Sequence, residues 1–314
     1  MSVRPRALFF GSPDFAVPCL HAMQAVTDLR GVVSQPDRPA GRGRELHPPP
    51  VKVAAQALGV PVWQPEKIRT PDFEATLRAL QADIFVVVAY GRILPPALLA
   101  IPPLGPWNVH ASLLPRLRGA APIQWAIIRG ERRTGVAIMR MEEGLDTGPV
   151  AAVAETAIAD DDTTASLSAR LSRLGADLLA QTLPRIAAGA ATLQPQDSGL
   201  ATLAPPLKKE DGRLDFSQPA RAVSARARGV DPWPGATALL DGEVIKLFQP
   251  RVVAEVTKAS PRPGRVLGAS ADGLVIGCGD GAVAFAELQL PGRKRLPAAL
   301  VLNGRPILPD TVIG

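Results

Sequence analysis

Asn108 and His110 stand two residues apart in the segment Pro106-Trp107-Asn108-Val109-His110-Ala111-Ser112-Leu113-Leu114-Pro115. In a β-strand that spacing puts both side chains on one face, so a carboxamide donor and an imidazole converge on one small volume. Histidine can take and give a proton near neutrality, yet a lone histidine also fits a purely structural role. The position favours chemistry: the pair falls at the end of a predicted sheet strand, where open α/β sheets place their ligands. Asp146 follows in Met141-Glu142-Glu143-Gly144-Leu145-Asp146-Thr147-Gly148, a loop whose two glycines permit tight turns. From local sequence it reads equally as a carboxylate for the site or as an aspartate capping a turn.

Other residue patterns exclude chemistry or leave it open. Gly11-Ser12-Pro13-Asp14 follows a strand-like run but lacks G-x-G-x-x-G spacing, and Pro13 removes an amide that a phosphate cradle would use. His21 and His47 show no ligand spacing, and Cys19 and Cys278 lie far apart without a zinc or redox pattern, so no metal is expected. Between Ser34 and Pro50 a loop rich in proline and glycine carries Arg38, Arg42 and Arg44. Arginines beside glycines can approach a phosphate backbone or stack on unpaired bases, although composition alone also describes a solvated surface loop.

These groups need a scaffold, and the chain supplies a legible one. Its 314 residues suit two domains. ALFF at 7–10, an amphipathic stretch from Phe15 to Val26 and RGVVS at 30–34 form a βαβ opening. The continuously apolar run from Asp83 to Tyr90 predicts a central parallel strand covered on both sides, with helices over 71–82 and 121–130 supplying the cover. Asp160 to Thr164 predicts the start of a long helix ending near Ala188. Residues 1–189 are therefore expected to form a doubly wound, mostly parallel α/β domain of Rossmann-like design. Residues 190–206, small and rich in glycine and proline, read as a linker. Residues 207–314, with a helix capped by Ser217 and short strands between DG, GDG and PRPG turns, read as a smaller OB-like β-barrel. The net charge is +6, and residues 207–314 hold 15 basic against 11 acidic side chains, so the second domain carries more than its share. No apolar run approaches the roughly 18–20 residues that span a bilayer, and the N-terminal stretch lacks the pattern of a secretory signal. A soluble, cytoplasmic monomer is expected.

The pattern N-x-H-x-S-L-L-P-x-x-x-G at 108–119, joined to E-G-x-D-T-G at 143–148, resembles the signature of the folate-dependent formyltransferase family. The resemblance extends over almost the full length to the branch acting on charged tRNA, through GSPDFAVP, QPDRPAGRG at 35–43, VVAYGRILP at 87–95, RGAAPIQ at 118–124, LKKEDGRLDFS at 207–217 and DPWPGA at 231–236. It implies that Asn108, His110 and Asp146 are the catalytic trio. It implies a pocket for 10-formyltetrahydrofolate formed by Ser112, Leu113, Leu114 and Pro115, by the backbone of Arg92, Ile93 and Leu94, and by the loop reaching Asp146. It also implies that the acceptor is charged initiator tRNA, met by Arg38, Arg42 and Arg44 and, from the second domain, by Lys208 and Lys209. Arg226, Arg228, Lys246, Arg293, Lys294 and Arg295 would add phosphate contacts. Ala111 and Leu117 depart from the family's commonest residues.

The implied chemistry suits the trio. A neutral amine attacks a formamide-like carbon, negative charge develops on oxygen, and a proton must pass from the attacking nitrogen to the leaving one. Asn108 and His110 can donate to that oxygen, and Asp146 can support His110 and receive the proton through water. A related chassis that formylates an amino sugar nucleotide is the alternative, against which the arginine loop argues because a small acceptor has no use for it.

Overall fold

The computed structural model describes residues 4–40, 45–253 and 262–314. The chain divides into two compact units, residues 1–119, 135–156 and 168–203 in one and residues 120–134, 157–167 and 204–314 in the other.

The first unit is built on a seven-stranded sheet. In chain order the strands are β1 (Arg6–Gly11) and β2 (Asp28–Val33), a separate hairpin of β3 (Arg38–Ala40) and β4 (Glu45–His47), then β5 (Val62–Trp63), β6 (Ile84–Val88), β7 (Pro106–His110), β8 (Arg133–Arg140) and β9 (Val150–Ala157). The sheet order is β5-β2-β1-β6-β7-β8-β9. Its first five members are parallel, and β8 runs antiparallel to β7. Every residue of β6 is buried, as expected for a strand covered on both faces, whereas β9 at the edge alternates partly buried with exposed residues toward its end. Helices α1 (Val17–Val26), α2 (Pro50–Ala57), α3 (Pro71–Ala79) and α4 (Pro96–Leu99) each begin with proline in the first turn, where a missing amide costs nothing. Thr70 caps α3, its hydroxyl accepting from the Phe73 amide at 3.3 Å. Under one face of the sheet, Leu8, Phe10, Phe85, Val87, Phe73 and Leu77 form a continuous apolar core. The strand order turns between β1 and β6, which leaves a crevice at their carboxyl ends.

Three local expectations need correction. The Ser34–Pro50 stretch is not wholly irregular, because β3 and β4 pair from Arg38 opposite His47 to Ala40 opposite Glu45. Helix α5 (Pro122–Ile128), expected to cover the sheet, belongs to the second unit. It meets a helix there at a glycine, since a Cβ on Gly229 would lie 2.5 Å from Ile128 Cγ1 and 3.0 Å from Gln124 O. Ser217 caps no helix: its amide and hydroxyl both donate to Asp215 Oδ1, and the helix starts after Pro219. The long helix α6 (Thr164–Ala187) does start where the acidic cluster predicted, with Thr163 and Ser166 exchanging hydrogen bonds and Asp162 accepting from the Ser166 hydroxyl at 2.8 Å.

In the second unit α7 (Ala220–Gly229) precedes β10 (Ala236–Leu240), β11 (Glu243–Val253), β12 (Val266–Ser270), β13 (Gly273–Gly277), β14 (Ala282–Gln289), β15 (Leu296–Pro297) and α8 (Ala298–Gly304). The strands form an antiparallel sheet in the order β10-β11-β14-β13-β12, with β15 beside β14. Residues 310–314 join its two end strands. Leu239 and Gly314 exchange backbone hydrogen bonds of 2.8 and 3.1 Å, while Val266 donates to Thr311 O at 2.9 Å and Ile313 to Gly264 O at 2.7 Å. The sheet is thus closed as a barrel around Leu240, Leu247, Leu274, Phe285, Leu288 and Ile313.

Candidate active site

Strand β7 delivers Asn108 and His110 to one end of the sheet, and the loop after β8 brings Asp146 to meet them. His110 is buried and Asn108 partly so. The Asp146 carboxylate lies between the two: Asn108 Nδ2 is 3.4 Å from Oδ1, and His110 Nδ1 is 3.7 Å from Oδ2. The Gly119 amide donates to the same Oδ2 at 2.8 Å. The predicted trio is therefore gathered around one carboxylate.

The far side of the imidazole is also engaged. His110 Nε2 lies 3.0 Å from Leu117 O, and because a carbonyl only accepts, Nε2 carries the hydrogen. Nδ1 is the ring nitrogen that faces Asp146. The Nε2 hydrogen is committed to Leu117 O, so any hydrogen that His110 offers the expected oxygen is carried on Nδ1. Leu117 and Asp146 both sit in the left-handed backbone region, at φ 59° and 51°. Neither is a glycine, so each conformation requires support from its surroundings.

The supports come from a stretch that sequence reasoning treated as a linker. Gln194 and Val150 exchange backbone hydrogen bonds of 2.9 Å in both directions. The Gln196 amide donates to Asp146 O at 2.8 Å and to Gly148 O at 2.7 Å, and its oxygen accepts from Arg118 at 2.8 and 3.1 Å. Thr202 accepts the Leu117 amide on its hydroxyl at 2.9 Å and the Arg118 amide on its carbonyl at 2.8 Å. No sequence signal marked Gln196 and Thr202, which stand among other polar residues of the same stretch, Thr192, Gln194, Asp197 and Ser198.

Of the residues expected around a folate, Ser112 is buried and its hydroxyl donates to Arg116 O at 2.6 Å, which closes the Leu113–Pro115 turn on itself. Ile93 is exposed and Leu94 buried. Both line a cavity of about 490 Å³ together with Ile68, Thr70, Leu98 and Glu143. Arg69 and Glu74 add two further charged side chains to its lining. The Arg92 guanidinium is turned elsewhere, to Gln35 Oε1, Pro65 O and Glu66 O.

A second cavity, of about 430 Å³, opens at the carboxyl ends of β1 and β6 between Ser12, Gln35, Arg38, His47 and Tyr90. Gln35, missed in the sequence, organises it: its amide nitrogen donates to Tyr90 O at 3.0 Å and its oxygen accepts from Arg38 and Arg92. The base of the β3–β4 hairpin is anchored by Asp37, which takes two hydrogen bonds from Lys52 and one from Gln64. The Lys52 hydrogen bond, followed by that of Gln64, holds the Asp37 carboxyl below its ordinary range. Arg42 and Arg44 lie outside the described residues.

In the second unit Lys208 and Lys209 are exposed at a short 3-10 turn over Lys209–Gly212. Several other cations there serve the fold. Arg228 donates to Asp162 O, and burial pushes its pKa down. Arg295 lies 4.0 Å over the Phe248 ring and pairs with Glu287, and Lys246 reaches Pro234 O at 3.4 Å. No cluster of histidine, cysteine and acidic side chains suited to a metal ion occurs among the described residues.

This sheet, with an amide, an imidazole and a carboxylate gathered at the end of β7, defines a class. The formyl transferase family profile matches residues 6–183 and that of the formyl transferase C-terminal domain matches residues 206–306, so the chain belongs to the formyl transferase family. A methionyl-tRNA formyltransferase from Sorangium cellulosum is 48% identical over 309 residues, covering 98% of this chain and 99% of that protein. Among solved structures, HypX from Aquifex aeolicus in complex with tetrahydrofolic acid superposes with a TM-score of 0.62 at 20% identity, over 96% of this chain and 47% of HypX. An N-formyltransferase from Helicobacter canadensis, in complex with folinic acid and dTDP-3-aminofucose, gives 0.67 at 15% identity over 90% and 99%.

Proposed function

We propose that this protein transfers the formyl group of 10-formyltetrahydrofolate to the α-amino group of methionyl-initiator tRNA, acting as a monomer in the cytoplasm. The observation that carries the reading is the convergence of Asn108 and His110 on the Asp146 carboxylate. The tRNA acceptor is supported by identity to a methionyl-tRNA formyltransferase over nearly the whole chain, both domains included, whereas the sugar-bound neighbour shares the fold at 15% identity.

The folate supplies the formyl group. Ser112 to Pro115 and the backbone of Arg92 to Leu94 hold it, the latter beside the cavity that Ile93 and Leu94 line. Asn108 Nδ2 carries two hydrogens. One is directed to Asp146, and the other is offered to the formyl oxygen as negative charge develops there. The attacking amine gives up a proton and the departing nitrogen takes one, so the site relays a proton without net change. His110 Nδ1 and the Asp146 carboxylate form that relay, while the Nε2 hydrogen bond to Leu117 O keeps the ring from turning away. Arg38, Arg42, Arg44, Lys208 and Lys209 meet the phosphates or unpaired bases of the tRNA, which positions the aminoacyl end beside Asn108.

Incubating the purified protein with 10-formyltetrahydrofolate and either methionyl-initiator tRNA or a dTDP-amino sugar tests the reading. Formyl incorporation into the tRNA alone is expected. Incorporation into the sugar with none into tRNA replaces this reading with the alternative.

A further inference from the structure

Two residues with strained backbones, Leu117 and Asp146, flank the His110 ring, one through a carbonyl and the other through a carboxylate. Left-handed backbone at a residue with a Cβ, above all at a leucine, persists only where its surroundings support it. Here one short stretch imposes both. Gln196 uses its full hydrogen-bonding capacity, with both amide hydrogens on the Asp146 and Gly148 carbonyls and its oxygen on the Arg118 guanidinium. The orientation of that amide is unambiguous, because turning it over would set its hydrogens against those of Arg118 and its oxygen against two carbonyls. Six residues on, Thr202 holds the Leu117 and Arg118 amides, so the Leu117 carbonyl stays aimed at His110 Nε2.

We propose that Gln196 and Thr202 are positioning residues for the transfer reaction: the segment that carries them, within the first unit, straps both loops of the site together and sets which imidazole nitrogen carries the hydrogen. The strap acts through Leu117 O and Asp146 and touches no reacting atom. Its catalytic consequence rests on the formyl-transfer reading above, whereas its structural consequence, the tautomer of His110, does not.

The test joins kinetics to a spectroscopic readout on the full chain. Thr202→Val keeps the side-chain shape and removes the acceptor for the Leu117 amide, and Thr202→Ser restores it. Thr202→Val and Gln196→Met are expected to lower kcat by about 10- to 100-fold, as loss of a supporting hydrogen bond does at other sites, with KM for the folate within about twofold. Thr202→Ser is expected within about threefold of the parent. The kcat profile against pH is expected to shift in Thr202→Val and to return in Thr202→Ser. Independently of activity or acceptor, 15N spectra of the histidine-labelled parent, assigned with His110→Gln, are expected to show hydrogen on Nε2 of His110. Hydrogen on Nδ1 alone in the neutral ring overturns the proposal even if a substituted protein fails to fold. So does a Thr202→Val enzyme with the parent's kcat and pH profile, or a loss in Thr202→Val that Thr202→Ser leaves unrepaired.

Discussion

The Asp146 carboxylate accepts from the Gly119 amide on one oxygen and faces Asn108 Nδ2 with the other. An asparagine there has the same shape but only one acceptor, so its NH2 must face a donor wherever it turns. Asp146→Asn is therefore expected to cut single-turnover formylation by about 100- to 1000-fold, the loss typical of one electrostatic contact at an acyl-transfer site. Folate binding and the melting temperature are expected to stay near those of the parent. Near-parental turnover removes Asp146 from the mechanism. The pairing of Asn108 with His110 was legible because strand periodicity is a local rule. Asp146 lies 38 residues from Asn108, and only family resemblance joined them. The Leu117 carbonyl was illegible for a deeper reason: every residue has a carbonyl, and its aim depends on a left-handed backbone that a leucine does not advertise.

Among the elements, β6 was readable because an unbroken apolar run has few alternatives to a covered strand, and α6 because its start carries its own cap. The β3–β4 hairpin was not, since its three-residue strands are set by Asp37, Lys52 and Gln64 rather than by an apolar pattern of their own. On the functional reading, Arg42→Glu with Arg44→Glu is expected to raise KM for tRNA and leave folate binding unchanged. It should also flatten the salt dependence of tRNA binding by about one unit of slope or less per lost phosphate contact. Parental formylation at subsaturating tRNA removes the loop from the acceptor site. The start of β1 is pinned to the residue before β6 by Arg6 and Asp83, which share a side-chain pair at 2.7 Å and backbone hydrogen bonds. The Arg6 hydrogen bond holds the Asp83 carboxyl below its ordinary value. A depressed carboxyl contributes stability that is present above the unfolded pKa of about 3.9 and is lost as pH falls through the folded value. Asp83→Asn should therefore lower the urea midpoint near pH 7, with the gap to the parent closing as pH falls from about 5 toward 3. A gap independent of pH rules out the charge as its source.

Considered as a whole, the molecule carries one buried thiol in each unit, Cys19 and Cys278, both pushed up to about 12 chiefly by burial. A thiol so placed is scarcely ionised at neutral pH and is shielded from reagent. Neither is expected to react with a disulfide reagent in the native protein, and each becomes a reporter of the opening of its own unit. In single-thiol variants, Cys19→Ser and Cys278→Ser, labelling against urea should reveal whether the units open together or in sequence. Rapid labelling of either thiol without denaturant contradicts the buried placement.

The closed barrel has a consequence for how this protein avoids its own kind. Residues 310–314 cover the outward hydrogen-bonding groups of β10 and β12, the two strands that would otherwise end the sheet. An uncovered strand edge is a template for another chain, and natural sheets guard against it with charge, proline or cover. Here cover is the safeguard, because Leu239 at one edge and Leu267 at the other expose large apolar side chains beside those groups. Removing residues 311–314 should therefore show itself first as self-association: light scattering that rises with concentration and thioflavin signal at temperatures where the first unit remains folded. A truncated chain that stays monomeric at high concentration would mean that the edges are guarded by something other than this last stretch.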